Sequence, residues 1–269
     1  MKVFSDLRLL GIIVLLTLHA ACKTQKNSNS INKQSELKVL TYNIHHANPP
    51  SKPGVIDIDA ICRVIQQSDA DIVALQEVDV LTNRSGKIDE AKIIAEKLSM
   101  NYQFFKAIDH DGGDYGLAIL SKFPVQNPEN IPLPQVEEAE NRTLALLQVK
   151  VKDTWICIAN THLDASRSDK NRLVQMQFIV DRMAKTDIPV ILCGDLNTVP
   201  TSEVIQILDK QFKRTCVNDC LPTSPQGNPR RTIDYIATKN FSWPQKSIEV
   251  IAETYASDHR PVKVIFGIE

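Results

Sequence analysis

The chain has 269 residues, 43% of them hydrophobic and 23% charged, with a formal net charge of -1. That balance excludes an acidic disordered chain and a protein drawn to polyanions by bulk charge, although a basic groove on a neutral surface still leaves nucleic acid open as a substrate. The length admits one large domain or two small ones.

At the N-terminus, Lys2 and Arg8 precede an apolar run from Leu9 to Leu18 and then His19-Ala20-Ala21-Cys22. Residues 1–22 read as an export signal with a small-residue cleavage site, and the run is shorter than the ~20 residues that a membrane span needs. The small residues before Cys22 also resemble the bacterial lipobox, which would make Cys22 a lipidated N-terminus, although His19 departs from the aliphatic residue usual there. A plain signal peptide is the alternative. Residues 23–36 are polar and without apolar period, a flexible tether, so the folded domain is expected over 37–269. The resulting expectation is an exported protein, lipid-anchored to a bacterial membrane at the cell envelope or periplasm, and monomeric.

Within the domain one pattern recurs: an apolar run that stops at a polar group. Val39 to Tyr42 runs into Asn43, followed by His45 and His46; His45 is expected to face the same mouth and His46 to turn away. A helical period over 56–67 follows, and then Ile72 to Leu75 runs into Gln76-Glu77. The polar loop 81–87 carries Arg84 and Lys87 soon after Glu77, and 91–98 reads as a second helix. Asp109 to Asp114 is turn-rich, with a Gly-Gly pair suited to a hairpin, and a strand is expected over 115–120. Asn141-Arg142 precedes a strand over 143–151, and Trp155 to Ala159 runs into Asn160-Thr161-His162. Residues 169–185 form a helix whose methionines read as core. The run Val190 to Cys193 ends in Gly194-Asp195-Leu196-Asn197, with Gly194 read as a sharp turn where the strand stops. A short helix over 202–208 precedes an irregular stretch, 212–230, that borders the site and holds Cys216 and Cys220, close enough to pair if the loop bends back. Cys62, Cys157 and Cys193 sit in apolar runs as buried thiols, and no paired-cysteine zinc pattern occurs. Asp258-His259 stands before the closing run 261–266.

Six segments, Leu-Thr-Tyr-Asn-Ile (40–44), Leu-Gln-Glu-Val-Asp (75–79), Asn-Thr-His-Leu (160–163), Gly-Asp-Leu-Asn (194–197), Thr-Ile-Asp-Tyr-Ile (232–236) and Ser-Asp-His-Arg-Pro-Val (257–262), occur in one order along the chain. In that order they resemble the endonuclease/exonuclease/phosphatase superfamily. The resemblance implies a deoxyribonuclease I-like, four-layer α/β/β/α sandwich and a metal-dependent hydrolase of phosphoester bonds. It implies that Glu77 and Asn43 hold Mg2+ (or Mn2+), that Asp195 and Asn197 position the attacking water, and that His259, held by Asp234, contacts the phosphate together with His162.

Phosphoester hydrolysis needs an in-line water, neutralisation of the nonbridging oxygens, and charge relief or a proton for the leaving oxygen. Oxygen donors such as Glu77, Asn43 and Asp258 suit a hard cation, and Arg142, His45 and Arg84 are candidates for the substrate phosphate. Few cations surround the mouth and no aromatic-interleaved basic stripe accompanies them, so the expected partner is a small phosphoester or lipid headgroup, with nuclease action on DNA or RNA as the alternative. The lack of a G-x-S-x-G elbow argues against a serine hydrolase, and Ser257, Asp258 and His259 are sequence neighbours that cannot form a triad by themselves. A noncatalytic lipoprotein that binds a phosphorylated ligand is the remaining class, which turnover with Mg2+ would distinguish.

Overall fold

The computed structural model describes residues 35–268, so the signal segment, Cys22 and the tether up to residue 34 lie outside the described residues. In chain order the elements are β1 (Glu36–Asn43), α1 (Ile58–Ser68), β2 (Ile72–Val80), α2 (Glu90–Leu98), β3 (Asn101–His110) and β4 (Gly113–Ser121). The second half comprises β5 (Val125–Pro132), β6 (Thr143–Val151), β7 (Thr154–His162), α3 (Lys170–Met183), β8 (Val190–Asp195), α4 (Glu203–Leu208), β9 (Lys213–Arg214), β10 (Asp234–Lys239), β11 (Gln245–Val250) and β12 (Val262–Gly267). Asp57, Asp89 and Ser202 cap α1, α2 and α4 by accepting from backbone N–H groups three residues on, the usual service of short polar side chains at helix starts.

The strands form two mixed six-stranded sheets, ordered β11-β12-β1-β2-β4-β3 and β5-β6-β7-β8-β10-β9. Each is centred on a parallel pair, β1 with β2 and β7 with β8, and each pair has an antiparallel neighbour, β12 or β10. Side chains alternate across a strand, so each sheet has two apolar faces to cover. One pair of faces meets in the middle, where Val39, Ala74 and Ile119 pack with Leu147, Ile158 and Ile191. On the outside, Tyr42 and Leu75 pack with Ile61 of α1 and Ile94 of α2, while Leu192 and Ala159 pack with Met176 of α3 and Val204 of α4. The result is the α/β/β/α sandwich expected from the sequence.

Along the strands the inward-facing residues change character. Val39 gives way to Thr41 and Asn43, Ala74 to Gln76, Ile158 to Asn160 and His162, and Cys193 to Asp195, each at two-residue spacing. Register brings these ends level, because Asn43 pairs with Gln76 and Asp195 pairs with both His162 and Asp234. Just beneath, Gln76 Nε2 donates across the sheets to Asn160 Oδ1 at 2.8 Å and within its own sheet to Thr41 Oγ1 at 3.1 Å, and Asn160 Nδ2 donates back across to the Leu75 carbonyl at 2.8 Å. Hydrogen bonds this deeply buried are strong and directional, and these fix one sheet against the other under the polar end.

Two expectations need correction. Gly194 is not a turn: it lies within β8, where it pairs with Tyr235 and Thr161. Glycine is required because a Cβ there would run into the Thr161 carbonyl oxygen. The stretch 212–230 is not wholly irregular either, since Lys213–Arg214 adds an edge strand. Other expectations stand. The β3–β4 turn is Asp111-Gly112, both at positive φ (46° and 76°), as a tight hairpin demands. Cys216 and Cys220 are disulfide-bonded, and Cys62, Cys157 and Cys193 are buried free thiols.

Candidate active site

At the end of β1, Asn43 lies between two carboxylates: its Nδ2 donates to Glu77 Oε1 at 2.9 Å and to Asp195 Oδ2 at 3.1 Å. Its Oδ1 accepts from the His45 backbone N–H, and its carbonyl accepts from Ser257 Oγ at 2.6 Å. Glu77 is delivered by a break in the β2–β4 register between Leu75 and Val78, with its own φ at 57°. A bulge re-aims a side chain in this way, and left-handed backbone in a non-glycine residue is a local cost tolerated mainly at functional positions. Burial pushes the Glu77 carboxyl up, opposed by the Asn43 hydrogen bond and reinforced by the charge of Asp258. A buried carboxylate repelled by a second one attracts a cation. Glu77, Asp258 and the Asn43 amide therefore fit a divalent metal by their oxygen chemistry.

Asp195, 1% exposed, is held by the Asn197 backbone N–H at 2.9 Å on Oδ1 and by Asn43 on Oδ2. Burial and the neighbouring charge of Asp234 push its carboxyl up to about 7, against the pull of His259. Asn197 adopts φ 49° and spends its side-chain N–H on the Leu163 carbonyl at 3.0 Å, which fixes the turn that orients Asp195.

Two imidazoles approach Asp195 Oδ2, His162 Nε2 at 3.5 Å and His259 Nε2 at 3.7 Å. Both separations exceed a hydrogen bond, so neither ring is consumed by Asp195. Their charge states are opposite. Arg142 Nη1 lies 3.2 Å from His162 Nδ1 and can only donate, so Nδ1 accepts and Nε2 carries the proton. Burial first, then the cations Arg142 and His259, hold His162 well below its ordinary range, and its contact with Asp195 is that of a neutral ring. His259 Nδ1 sits 2.9 Å from Asp234 Oδ2. Burial works against the cation there, but the charges of Asp234 and Asp195 outweigh it and raise the ring to about 10. His259 is thus a fixed cationic donor.

Asp258 is placed near Glu77 by the loop that borders the site: Gln226 N–H donates to the Asp258 carbonyl at 2.8 Å and Arg260 N–H to the Thr223 carbonyl at 2.7 Å. His45 and Glu77 come together as expected. His46, expected to turn away, belongs to the same cluster: ligand atoms of His45, His46 and Glu77 all lie within 4.8 Å of one another. The reason is a left-handed turn in which His45, His46 and Ala47 have φ of 48°, 41° and 51°, so the alternation of an extended strand does not apply. A second such cluster, Asp195, Asp234 and His259, is buried and already paired internally.

The candidate phosphate ligands are tied to the protein. Arg84 Nε and Nη2 contact the two oxygens of buried Asp79 at 2.7 and 2.8 Å, and the guanidinium lies over the Tyr115 ring at 5.4 Å. Arg142 Nη1 contacts Glu140 at 2.7 Å as well as His162, leaving Nε buried without a partner. Lys87 Nζ donates to the Gly112 carbonyl at 2.9 Å, in the hairpin turn. Sequence reasoning named Gln76 and Asn160 as polar strand ends without giving them a role, and did not single out Asp79 or Tyr115. These last two lay in ordinary strand patterns, but Asp79 at an apolar strand position was a signal, since a buried acid demands a partner. A mostly apolar cavity of about 80 Å3, lined by Leu221, Ile248 and Val250 among others, reaches Asp234 but not Asn43, Glu77 or Asp195. It is separate from the polar mouth.

Comparison with known proteins bears on the fold and the family. Rat (Rattus norvegicus) nocturnin is 29% identical over 165 residues, which cover 55% of this chain and 36% of nocturnin, so the chain spans only about a third of that relative. The human nocturnin catalytic domain, solved with a bound sulfate anion, superposes with a TM-score of 0.69 at 22% identity, over 87% of this chain and 94% of that one. A mannosyl-6-phosphatase from Bacteroides thetaiotaomicron gives 0.70 at 20% identity, over 86% of this chain and all (100%) of its own. At such identities the structural likeness speaks for the fold alone. The model of the Endonuclease/Exonuclease/phosphatase family matches residues 40–259, nearly the whole described domain, and the chain belongs to that family.

Proposed function

We propose that the protein is a divalent-metal-dependent phosphoester hydrolase that acts on a compact substrate, a phosphorylated small molecule or a lipid headgroup. The observation that carries this reading is the surroundings of Asp195: a buried carboxyl with raised proton affinity, faced by one neutral and one cationic imidazole that it does not consume. Asp195 accepts a proton from the attacking water, with Asn197 and Asn43 holding the two carboxylate oxygens in place. His162 and His259 present N–H groups to the oxygens on which charge develops. Asp234 keeps the His259 ring oriented and charged. Glu77, Asn43 and Asp258 would hold the metal, Mg2+ or Mn2+, which when bound supplies Lewis-acid neutralisation of a phosphoryl oxygen.

Charge supports a compact substrate over long duplex DNA. Of the five cations expected near the mouth from the sequence, Arg84 and Arg142 are paired with acids and Lys87 with a carbonyl, while Arg230 and Arg231 are exposed. A nuclease that tracks a backbone neutralises several phosphates at once. Turnover of plasmid DNA, small phosphodiesters and phosphomonoesters across a salt series tests this reading. Plasmid cleavage more efficient than every small substrate, with steep salt dependence, would replace it with the nuclease reading.

Export and anchoring through a lipidated Cys22 belong to the same proposal. Intact mass and membrane fractionation of wild type and Cys22→Ser check it, and a mature N-terminus at another residue removes the anchor.

A further inference from the structure

The turn after β1 has no evident purpose in a site that binds Mg2+ through oxygen alone. It places three consecutive non-glycine residues in the left-handed region, and it brings the His45 and His46 rings to 4.5 Å between centroids beside Glu77. Backbone of this kind is strained and persists where the surrounding structure imposes it. Here the turn is imposed: Ile44 N–H donates to the Gln76 carbonyl, His45 N–H to Asn43 Oδ1, and Asp57 N–H to the Ala47 carbonyl.

Each ring has the environment of a ligand. His45 Nδ1 lies 2.9 Å from the Asn48 carbonyl oxygen, which can only accept. Nδ1 therefore carries the proton, and Nε2 is left with its lone pair free, the tautomer fixed as metal-binding histidines usually have it. In His46, Nδ1 is buried without any hydrogen-bond partner. Such orphans are uncommon and call for an occupant. The nearby cation Arg84 is held away by two short contacts to Asp79, which offset part of its charge at His46.

We infer that His45, His46 and Glu77 form a nitrogen-rich ion site selective for a first-row transition ion of the imidazole-binding class, such as Mn2+, Fe2+, Co2+ or Zn2+, over Mg2+. Mg2+ demands near-octahedral oxygen coordination and gives up water reluctantly, whereas two imidazoles and one carboxylate on one side of an ion suit the later metals and leave positions open. The inference narrows the reading above, since Glu77 belongs to both.

The test uses tag-free, chelator-stripped protein titrated with Co2+ and followed by its visible d–d absorption. One equivalent should saturate bands of an imidazole-ligated ion, a hundredfold excess of Mg2+ should leave them in place, and His45→Asn and His46→Asn should each weaken Co2+ binding at least tenfold. In wild-type protein, Zn2+ should also shift the imidazole 1H–15N resonances of His45 and His46, a readout that does not depend on the variants folding. Unmoved resonances, or displacement by equimolar Mg2+, overturn the inference. The two readings fail separately. Mg2+-supported turnover with silent histidines removes this one and leaves the hydrolase. Co2+ on these histidines without hydrolysis of any phosphoester does the reverse.

Discussion

The two corners of the active mouth are built on opposite physical plans. At the ends of β1 and β2, His45, His46 and Glu77 are only half-buried and stand on left-handed backbone, with φ between 41° and 57°. At the ends of β7, β8 and β10, His162, Asp195 and Asp234 are 1–5% exposed and lie in regular, in-register strands, joined by His259 just ahead of β12. Access suits a corner that must take up and release an ion. Removal from water moves proton affinities at both corners, Glu77 and Asp195 up and His46 and His162 down, but only the second corner closes its carboxylates off from solvent and sets them against fixed imidazoles. The difference teaches that one mouth is assembled in two ways: one corner places its polar groups by strained turns, the other by regular, in-register strands.

The largest way to break this division is to remove the charge that holds His259. Asp234→Asn should lower kcat by about a hundredfold to ten-thousandfold, within the usual range for a disabled general acid. The alkaline limb of the rate profile, set in wild type by proton loss from His259 near 10, should move toward neutral pH. The sign follows from linkage: a ring raised by its partner keeps its proton below that value and loses it as pH rises, and without the partner the loss comes earlier. A rate profile unchanged in Asp234→Asn would detach His259 from the chemistry.

His162 gives a smaller contrast. It is neutral and anchored through Arg142 alone, so His162→Gln, which keeps an N–H donor, should cost about tenfold in kcat with little change in the pH profile. A loss as large as that of Asp234→Asn would mean that His162 carries a proton and that the two rings are not distinct.

Glu90 applies the burial rule away from the mouth. Its Oε2 accepts from the Asp79 backbone N–H at 2.9 Å, and burial, with the charge of Asp79 adding, pushes the carboxyl up to about 8. Its folded value is raised, so the stability it contributes is full below about 4.5 and falls as pH rises through about 8. Glu90→Gln, neutral at every pH, should therefore be more stable than wild type at pH 9, by on the order of 1–3 kcal/mol, and near-equal at pH 5. Denaturant unfolding at the two values checks it. Equal gaps at both pH values would show that Glu90 is ionised in the fold.

How far the sequence foretold these corners depended on burial. The inner strands β1, β2, β4, β6, β7 and β8 and all four helices were legible because a buried face imposes apolar runs or a helical period. The strands that escaped notice are the four sheet edges, β3, β5, β9 and β11, and the inner β10, whose first residues were noted only as part of a motif. An edge strand has little to bury: every residue of β5 from Gln126 to Asn130 is exposed, including Pro128, which an edge tolerates because it needs no ladder donor. In the site, Asn43, Glu77, Asp195 and His259 were legible as polar stops to apolar runs. His46 was not, because its placement depends on a left-handed turn that no residue-type rule signals. Asp79 was hidden by its apolar neighbours, although its pairing with Arg84 decides what that arginine can still bind.

The central claim is that Asp195 activates water for phosphoester cleavage with a divalent metal present, and turnover of a phosphomonoester and phosphodiester panel by wild type and Asp195→Asn, each with and without EDTA, tests it most directly. The account predicts a variant with the wild-type circular dichroism spectrum and a rate lower by a thousandfold or more, roughly the loss expected when an essential base is removed without change of shape, and EDTA-sensitive turnover in the wild type. A variant that cleaves any wild-type substrate at near-wild-type rate, or wild-type turnover indifferent to EDTA, would contradict it.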